Sequence, residues 1–341
     1  MNQNRRLVVA FRILCVTCLA AAAVASDGAE AAVTPSTVYV SRILEGMVAV
    51  IDANTDQLIA FVRTGSNPAE IGVVASLSRA FVADLTDSTV TVIETTGHGI
   101  DDTITLASPP ATIGVDEAAQ RVFALDFSNG AWGTDLHVID ADSKSEIDTF
   151  MVGTRTQNIA VSAADDVAYV TDFEDGIIEV DTGTGAVLRT LAMSSLPHGI
   201  ALNESTDRLY VTRLDADDVK IIDTAATDLT VIGTVAVGEM PQWIALDLPR
   251  GKALVTNEGD DTVSVFDLAT HNVHPAAIPV GDGPLTLTIH DGAARAYVYN
   301  ANDGTISVID TVSETVVATI DVLFGDGFEL GNTAPWSSRV P

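Results

Sequence analysis

The chain has 341 residues, with 47 acidic and 17 basic side chains and a formal net charge of −30. That length can bury a sizeable core without covalent staples. The charge excludes nucleic acid, whose phosphates need clustered Lys and Arg, and disfavours an anionic membrane surface. Aromatics are only 5% against 47% hydrophobic residues, and the Val, Ile, Ala and Thr that dominate suit strands packed on strands.

The first predicted element is a targeting segment. Arg5 and Arg6 precede an apolar run over 7–25, interrupted by Arg12 and Thr17, that ends in Ala23-Val24-Ala25. This is the small-x-small pattern of an export leader. Residues 1–25 are therefore read as removable, and 26–36 as a short N-terminal segment. Both cysteines, Cys15 and Cys18, fall inside the leader. The exported chain is thus expected to carry no disulfide, thiolate metal site, Cys nucleophile or covalent haem, and no membrane span.

A unit of four short strands then returns seven times. The first copy shows Val38-Tyr39-Val40 and an alternating strand ending in an acid, Val48 to Asp52. The second adds a leading Pro-x-x-Ile strand, Pro68 to Val73, before Ala80-Phe81-Val82 and Val90 to Glu94. The third has Pro110 to Val115, Val122-Phe123-Ala124 and Leu136 to Asp140; here Ser128 to Gly133 lengthens a hairpin and places Trp132 on a loop tip. The fourth opens on a looser Thr156 to Val161, then Ala168-Tyr169-Val170 and Ile177 to Asp181. The fifth and sixth open at Pro197 and Pro241 and end at Asp223 and Asp267. The seventh has a looser Pro284 to Ile289, then Ala296-Tyr297-Val298 and Ile306 to Asp310. The first copy lacks the leading strand; Ala29 to Thr34 and the C-terminus are the candidates to supply it, neither matches the pattern well, and the sequence leaves the closure of the ring open.

Period-2 alternation, turns rich in Asp, Asn and Gly, and four strands per 40–45 residues define one blade of a β-propeller. The expected fold is all-β, a seven-bladed β-propeller of four-stranded antiparallel blades over 37–322. The strand-ending acids are expected to accept bonds from nearby backbone N–H groups and so to be structural.

Residues 169–172 read Tyr-Val-Thr-Asp, 210–213 Tyr-Val-Thr-Arg and 254–257 Leu-Val-Thr-Asn; Tyr297 to Asn300 and Thr305 to Thr311 continue the pattern. This resembles the YVTN family of β-propeller repeats, found in bacterial and archaeal surface or secreted proteins. The resemblance implies the fold and an exported location (periplasm, cell surface or exterior), and leaves the function open. Residues 324–337 resemble a tail, F-x-D-G-F-E-x-G followed by W-S, that ends many secreted bacterial proteins. It implies sorting or surface association, compatible with closing the first blade.

Motifs of catalysis are missing: there is no P-loop, no G-x-S-x-G and no H-E-x-x-H. His271-x-x-His274 has metal-ligand spacing but sits in a loop before Pro275, and reads as solvated. The pairs Asp101-Asp102, Asp165-Asp166 and Asp260-Asp261, with Asp215 to Asp218, read chiefly as turn formers; Ca²⁺ is the one cofactor they could hold. In a propeller the starts of the inner strands ring one channel mouth. Glu70, Gln157, Asn158, His198, Gln242 and Trp243 occupy those starts and form the candidate ligand-binding set. The expectation is a monomeric, non-enzymatic scaffold for a protein or small polar ligand. The alternative is a lactonase-like hydrolase or lyase, which requires Glu70 and His198 to share a metal or substrate.

Overall fold

The structure is a computed structural model that describes residues 37–42, 46–126 and 133–322, together with the backbone of 18–20. Every paired strand is antiparallel to its neighbour. The first sheet runs β1 (Cys18–Ala20), β2 (Thr37–Arg42), β3 (Met47–Asp52) and β4 (Gln57–Arg63). The second runs β5 (Pro68–Val74), β6 (Arg79–Asp84), β7 (Thr89–Glu94) and β8 (Ile100–Thr105). A seven-stranded sheet holds β9 (Pro110–Asp116), β10 (Arg121–Asp126), β11 (Gly133–Asp140), β12 (Ser145–Ser162), β13 (Val167–Asp172), β14 (Gly176–Asp181) and β15 (Val187–Leu191). Three four-stranded sheets follow. They are β16 (Pro197–Asn203) to β19 (Thr230–Ala236) through β17 (Arg208–Arg213) and β18 (Asp218–Asp223); β20 (Pro241–Asp247) to β23 (Ile278–Pro279) through β21 (Lys252–Asn257) and β22 (Thr262–Asp267); and β24 (Pro284–His290) to β27 (Thr315–Asp321) through β25 (Arg295–Asn300) and β26 (Thr305–Asp310). The described residues contain no α-helix, and no helix among them is long and apolar enough to cross a membrane.

The single seven-stranded sheet has a local cause. Five inner strands open on Pro68, Pro110, Pro197, Pro241 and Pro284. Proline has no N–H to continue a ladder, so the preceding outer strand stops. At the equivalent place the fourth repeat has Thr156, which pairs with Gly133, and β12 runs without interruption through the outer position of the third repeat and the inner position of the fourth. In the sixth repeat Pro275 and Pro279 leave only a two-residue outer strand.

Each repeat inserts one large side chain into the interface with the next. Tyr39 packs with Ile71, Val82 and Ile93 of the second repeat. Phe81 packs with Ile113 and Val122, Phe123 with Ile159 and Val170, and Tyr169 with Ile200 and Val211. Tyr210 packs with Ile244 and Phe266, Leu254 with Leu287 and Val298, and Tyr297 with Val38 and Ile51 of the first repeat. The seven inserted side chains are each at most 2% exposed. Burying one such side chain contributes roughly 1.5–3 kcal/mol.

The seven strand-ending acids do accept local backbone bonds. Asp52 takes Asn54 N–H at 2.8 Å, Glu94 takes Thr96 at 2.7 Å, Asp140 takes Ser143 at 2.7 Å and Asp181 takes Thr184 at 2.7 Å. Asp223 takes Ala225 at 3.0 Å, Asp267 takes Thr270 at 2.7 Å and Asp310 takes Ser313 at 2.8 Å. Bonds to the ionised form hold the Glu94, Asp140, Asp181, Asp267 and Asp310 carboxyls below their ordinary range.

In the first sheet the strand paired to the inner edge of β2 is Cys18–Ala20, inside the expected leader; Ala29 to Thr34 and the tail, the two segments considered for that position, lie outside the described residues. An inner edge with unpaired backbone groups takes up an extended apolar segment. Asp101 and Asp102 lie on β8 rather than in a turn, and are paired with Arg79 and Lys144. Trp132 lies outside the described residues.

Candidate functional site

The sheets place the starts of β5, β9, β16, β20 and β24, and the middle of β12, at one end of the molecule. Neighbouring inner strands pack against one another there: β5 on β9, β9 on β12, β12 on β16, β16 on β20, and β20 on β24.

Most of these starts carry a register shift, between Pro68 and Ile71, Thr156 and Asn158, Pro197 and Ile200, Pro241 and Ile244, and Pro284 and Thr286. A bulge leaves backbone groups without a ladder partner. In three repeats a threonine hydroxyl supplies one. Thr171 Oγ1 accepts from Asn158 N–H at 3.0 Å and donates to the His198 carbonyl of the next repeat at 2.9 Å. Thr212 accepts from Gly199 N–H at 2.8 Å and donates to the Gln242 carbonyl at 3.2 Å. Thr256 accepts from Trp243 N–H at 3.0 Å and donates to the Leu285 carbonyl at 3.1 Å. These threonines are the third letter of the Tyr-Val-Thr motif, a signal visible in the sequence but given no role there.

His198 and Gln242 come together. The His198 Nδ1–H donates to the Gln242 carbonyl at 3.0 Å, and the ring lies 6.4 Å from that of Phe173. Burial lowers the imidazole pKa, which keeps it neutral, as this single-donor role needs. The Gln242 amide donates to the Glu258 carboxylate. Gln157 folds back on its own strand, donating to the Arg155 and Thr156 carbonyls at 3.0 and 2.8 Å. Trp243 packs, half-buried, against the core around Leu254 and Leu287.

Glu70 sits apart from that pair. Its Oε2 accepts the Ile113 N–H of β9 at 3.1 Å, and burial pushes its carboxyl up to about 8 while that bond pulls the other way. Between the inner strands that carry Glu70 and His198 lie β9 and β12. Each of the two groups bonds the repeat next to its own.

The second residue after the strand opening forms a further set. Thr112 is 8% exposed, Asn158 3% and Thr286 4%, and Thr112 Oγ1, Asn158 Oδ1 and Thr286 Oγ1 have no hydrogen-bond partner. Asn158 was legible in the sequence. Thr112 and Thr286 hold the same register position, but a lone threonine carries no chemical signal in a sequence. A shallow polar cleft of about 310 Å³ at the same end, lined by Arg63, Ser66, Asn67 and Asp87 among others, was not foreseen.

Among the described residues no three His, Cys, Asp or Glu side chains gather to hold a metal. His274 bonds Glu314 at 2.8 Å, and His271 occupies a turn with positive φ.

The architecture is a β-propeller-like all-β repeat fold, and solved structures share it. Hydrazine synthase of Kuenenia stuttgartiensis superposes with a TM-score of 0.72 at 14% identity, over 80% of this chain and 92% of that one. A functionally unknown protein from Desulfotomaculum acetoxidans gives 0.72 at 14% identity, over 83% and 94%. A chain of the mitotic checkpoint complex gives 0.67 at 12% identity, over 79% and 82%. No family model matches the sequence, and no curated protein does.

Proposed function

We propose that this protein is an exported, monomeric seven-bladed β-propeller of the YVTN type that binds a small polar ligand at the mouth ringed by its inner strands, without transforming it. Seven sequence copies support the blade count. Closure is supported by the core that Tyr297 and Tyr299 of the last repeat share with Val38, Val40 and Ile51 of the first, and by the Tyr297 hydroxyl, which donates to Asp56 of the first repeat at 2.7 Å. Export rests on the leader and on the tail at 324–337. A strongly acidic surface disfavours self-association.

The observation that carries the binding reading is the set of buried, unpartnered oxygens on Thr112, Asn158 and Thr286. Leaving such an atom unsatisfied costs about 1–3 kcal/mol, so a donor in the mouth offsets a standing penalty. The enzyme alternative is disfavoured because Glu70 and His198 bond different neighbours.

The test is thermal unfolding of residues 26–341 against sugars, amino acids, carboxylates and amines, with Asn158→Leu alongside. A ligand of the folded state raises the midpoint by mass action. A concentration-dependent rise lost in Asn158→Leu supports the reading. No response to any solute, or turnover abolished by a mouth substitution, overturns it.

A further inference from the structure

The cleft of about 310 Å³ lies where the first repeat meets the second. Its walls are Gly46, Arg63 at the end of β4, the loop Thr64 to Asn67, and Asp87 in the turn between β6 and β7. No apolar side chain lines it. Backbone bonds fix the loop. Gly65 N–H donates to Asp84 at 3.0 Å and Ser66 N–H to Asp87 Oδ2 at 2.7 Å. Leu85 and Thr86 N–H return bonds to the Asn67 and Ser66 carbonyls at 3.1 and 3.2 Å. The side chains are left over. Among the described residues, the Arg63 guanidinium, the Ser66 hydroxyl and the Asn67 amide make no hydrogen bond or ion pair, and Asp87 Oδ1 takes none.

The same loop recurs elsewhere with the opposite charge. Before β20 and β24, Glu239 and Asp282 stand in place of Ser66, and Ala236 and Pro279 in place of Arg63. Glu239 and Asp282 N–H bond Asp260 and Asp303 at 2.7 and 2.8 Å, as Ser66 bonds Asp87. In the last repeat Asn302 Nδ2 also donates to the Asp282 carboxylate at 2.7 Å. In the fourth repeat the loop carries Arg155, but that guanidinium is paired with Glu174 at 2.7 Å. One backbone frame therefore bears a carboxylate in two repeats, a neutralised arginine in another, and an unengaged arginine beside an aspartate only at this cleft.

We infer that the cleft is a second binding site and takes a free amino acid. The ligand carboxylate meets the Arg63 guanidinium, whose planar fork matches it, with Ser66 and Asn67 as further donors. The ligand ammonium meets Asp87. The chain's net charge of −30 repels a simple anion, and Arg63 opposes a simple cation; a zwitterion carries no net charge and satisfies both groups. With no apolar lining, the site reads the α-amino and α-carboxylate groups rather than the side chain. It is separate from the buried oxygens at the mouth and does not rest on them.

The experiment is calorimetric titration of the purified protein with L-alanine. Alaninamide, which lacks the carboxylate, and N-acetyl-L-alanine, which lacks the ammonium, are titrated alongside. The variants are Arg63→Gln, Asp87→Asn, which keeps an acceptor for Ser66 N–H, and Asn158→Leu at the mouth. Their unfolding midpoints check that each is folded. The expected result is binding of L-alanine and of neither analogue, about tenfold weaker in Arg63→Gln and in Asp87→Asn, and unchanged in Asn158→Leu. No L-alanine binding, equal binding of either analogue, or unchanged affinity in Arg63→Gln or Asp87→Asn overturns the inference. A loss confined to Asn158→Leu assigns the amino acid to the mouth, which overturns the cleft site and leaves the binding function proposed above standing.

Discussion

Glu70 is an acid placed where its charge is costly. Its folded pKa, about 8, lies above its ordinary 4.5, so the folded state holds the proton more tightly. The group's contribution is fully present below pH 4.5 and is lost as pH rises through about 8. With no ligand, the unfolding midpoint is expected to fall between pH 5 and 9 more steeply in the wild type than in Glu70→Gln. Parallel pH profiles for the two would show that the carboxyl is not desolvated. The bridging threonines offer a second test at this scale. Thr212→Val leaves Gly199 N–H and the Gln242 carbonyl without their hydroxyl, an expected loss of about 1–3 kcal/mol in urea unfolding, whereas Thr212→Ser restores most of it.

At the scale of the element, recurring residues do work that only their partners reveal. The Asp or Asn that follows the motif's third position (Thr171 in the fourth repeat, Ala83 in the second) ties the loop before its own inner strand. Asp84 accepts Gly65 N–H at 3.0 Å, and Asp172 accepts Thr154 and Arg155 N–H at 2.9 and 2.7 Å. A Cβ at Gly65 would stand 2.6 Å from the Asp84 carboxyl carbon, which accounts for the glycine before that proline. Gly133 is tighter still: a Cβ there would fall 1.7 Å from the Asp126 carbonyl oxygen, an atom of the backbone that cannot swing aside. Gly133→Ala is expected to destabilise by about 1–3 kcal/mol or more, read as a lower denaturant midpoint. An unchanged midpoint would show that the β10–β11 hairpin rearranges freely. The outer hairpins carry a register shift beside the turn acid, as between Val50 and Ile51 and between Val308 and Ile309. Such bulges twist an edge away from further strand pairing, and they sit beside exposed apolar pairs such as Val187 with Leu188 and Val316 with Val317.

For the whole molecule, the decisive contact joins the last repeat to the first. Tyr297 and Tyr299 share a core with Val38, Val40 and Ile51, and Arg295 reaches Asp56 at 3.5 Å. Tyr297→Phe removes the hydroxyl bond to Asp56 and keeps the ring, so a loss of about 0.5–1.5 kcal/mol is expected by denaturant unfolding. Leader cleavage would remove β1 and leave the inner edge of β2 without that partner. Val322 leaves the outer strand by donating to the Gly304 carbonyl at 3.1 Å, as Val237 and Val280 do before the next inner strand begins, to Asp217 and Asp261 at 3.0 Å. Truncating residues 26–341, the chain without its proposed leader, after Val322 is therefore expected to lower the thermal midpoint. An unchanged midpoint would assign the closure to residues 26–36 instead.

The sequence by itself determined the repeat, its four strands and the structural role of its terminal acids, because these follow from period-2 alternation and from bonds made within a few residues. It also pointed to the inner-strand starts, since Pro-x-x-Ile marks them. It did not separate the six candidates found there, because their roles depend on which neighbouring repeat each side chain reaches. Only the tertiary structure decided that His198 turns to Gln242, that Glu70 turns to Ile113, and that Thr112 and Thr286 belong with Asn158. It also decided that Thr156 lets one strand serve two repeats. Those facts are set across interfaces between units some forty residues apart, where packing and desolvation act and local pattern carries no record of them.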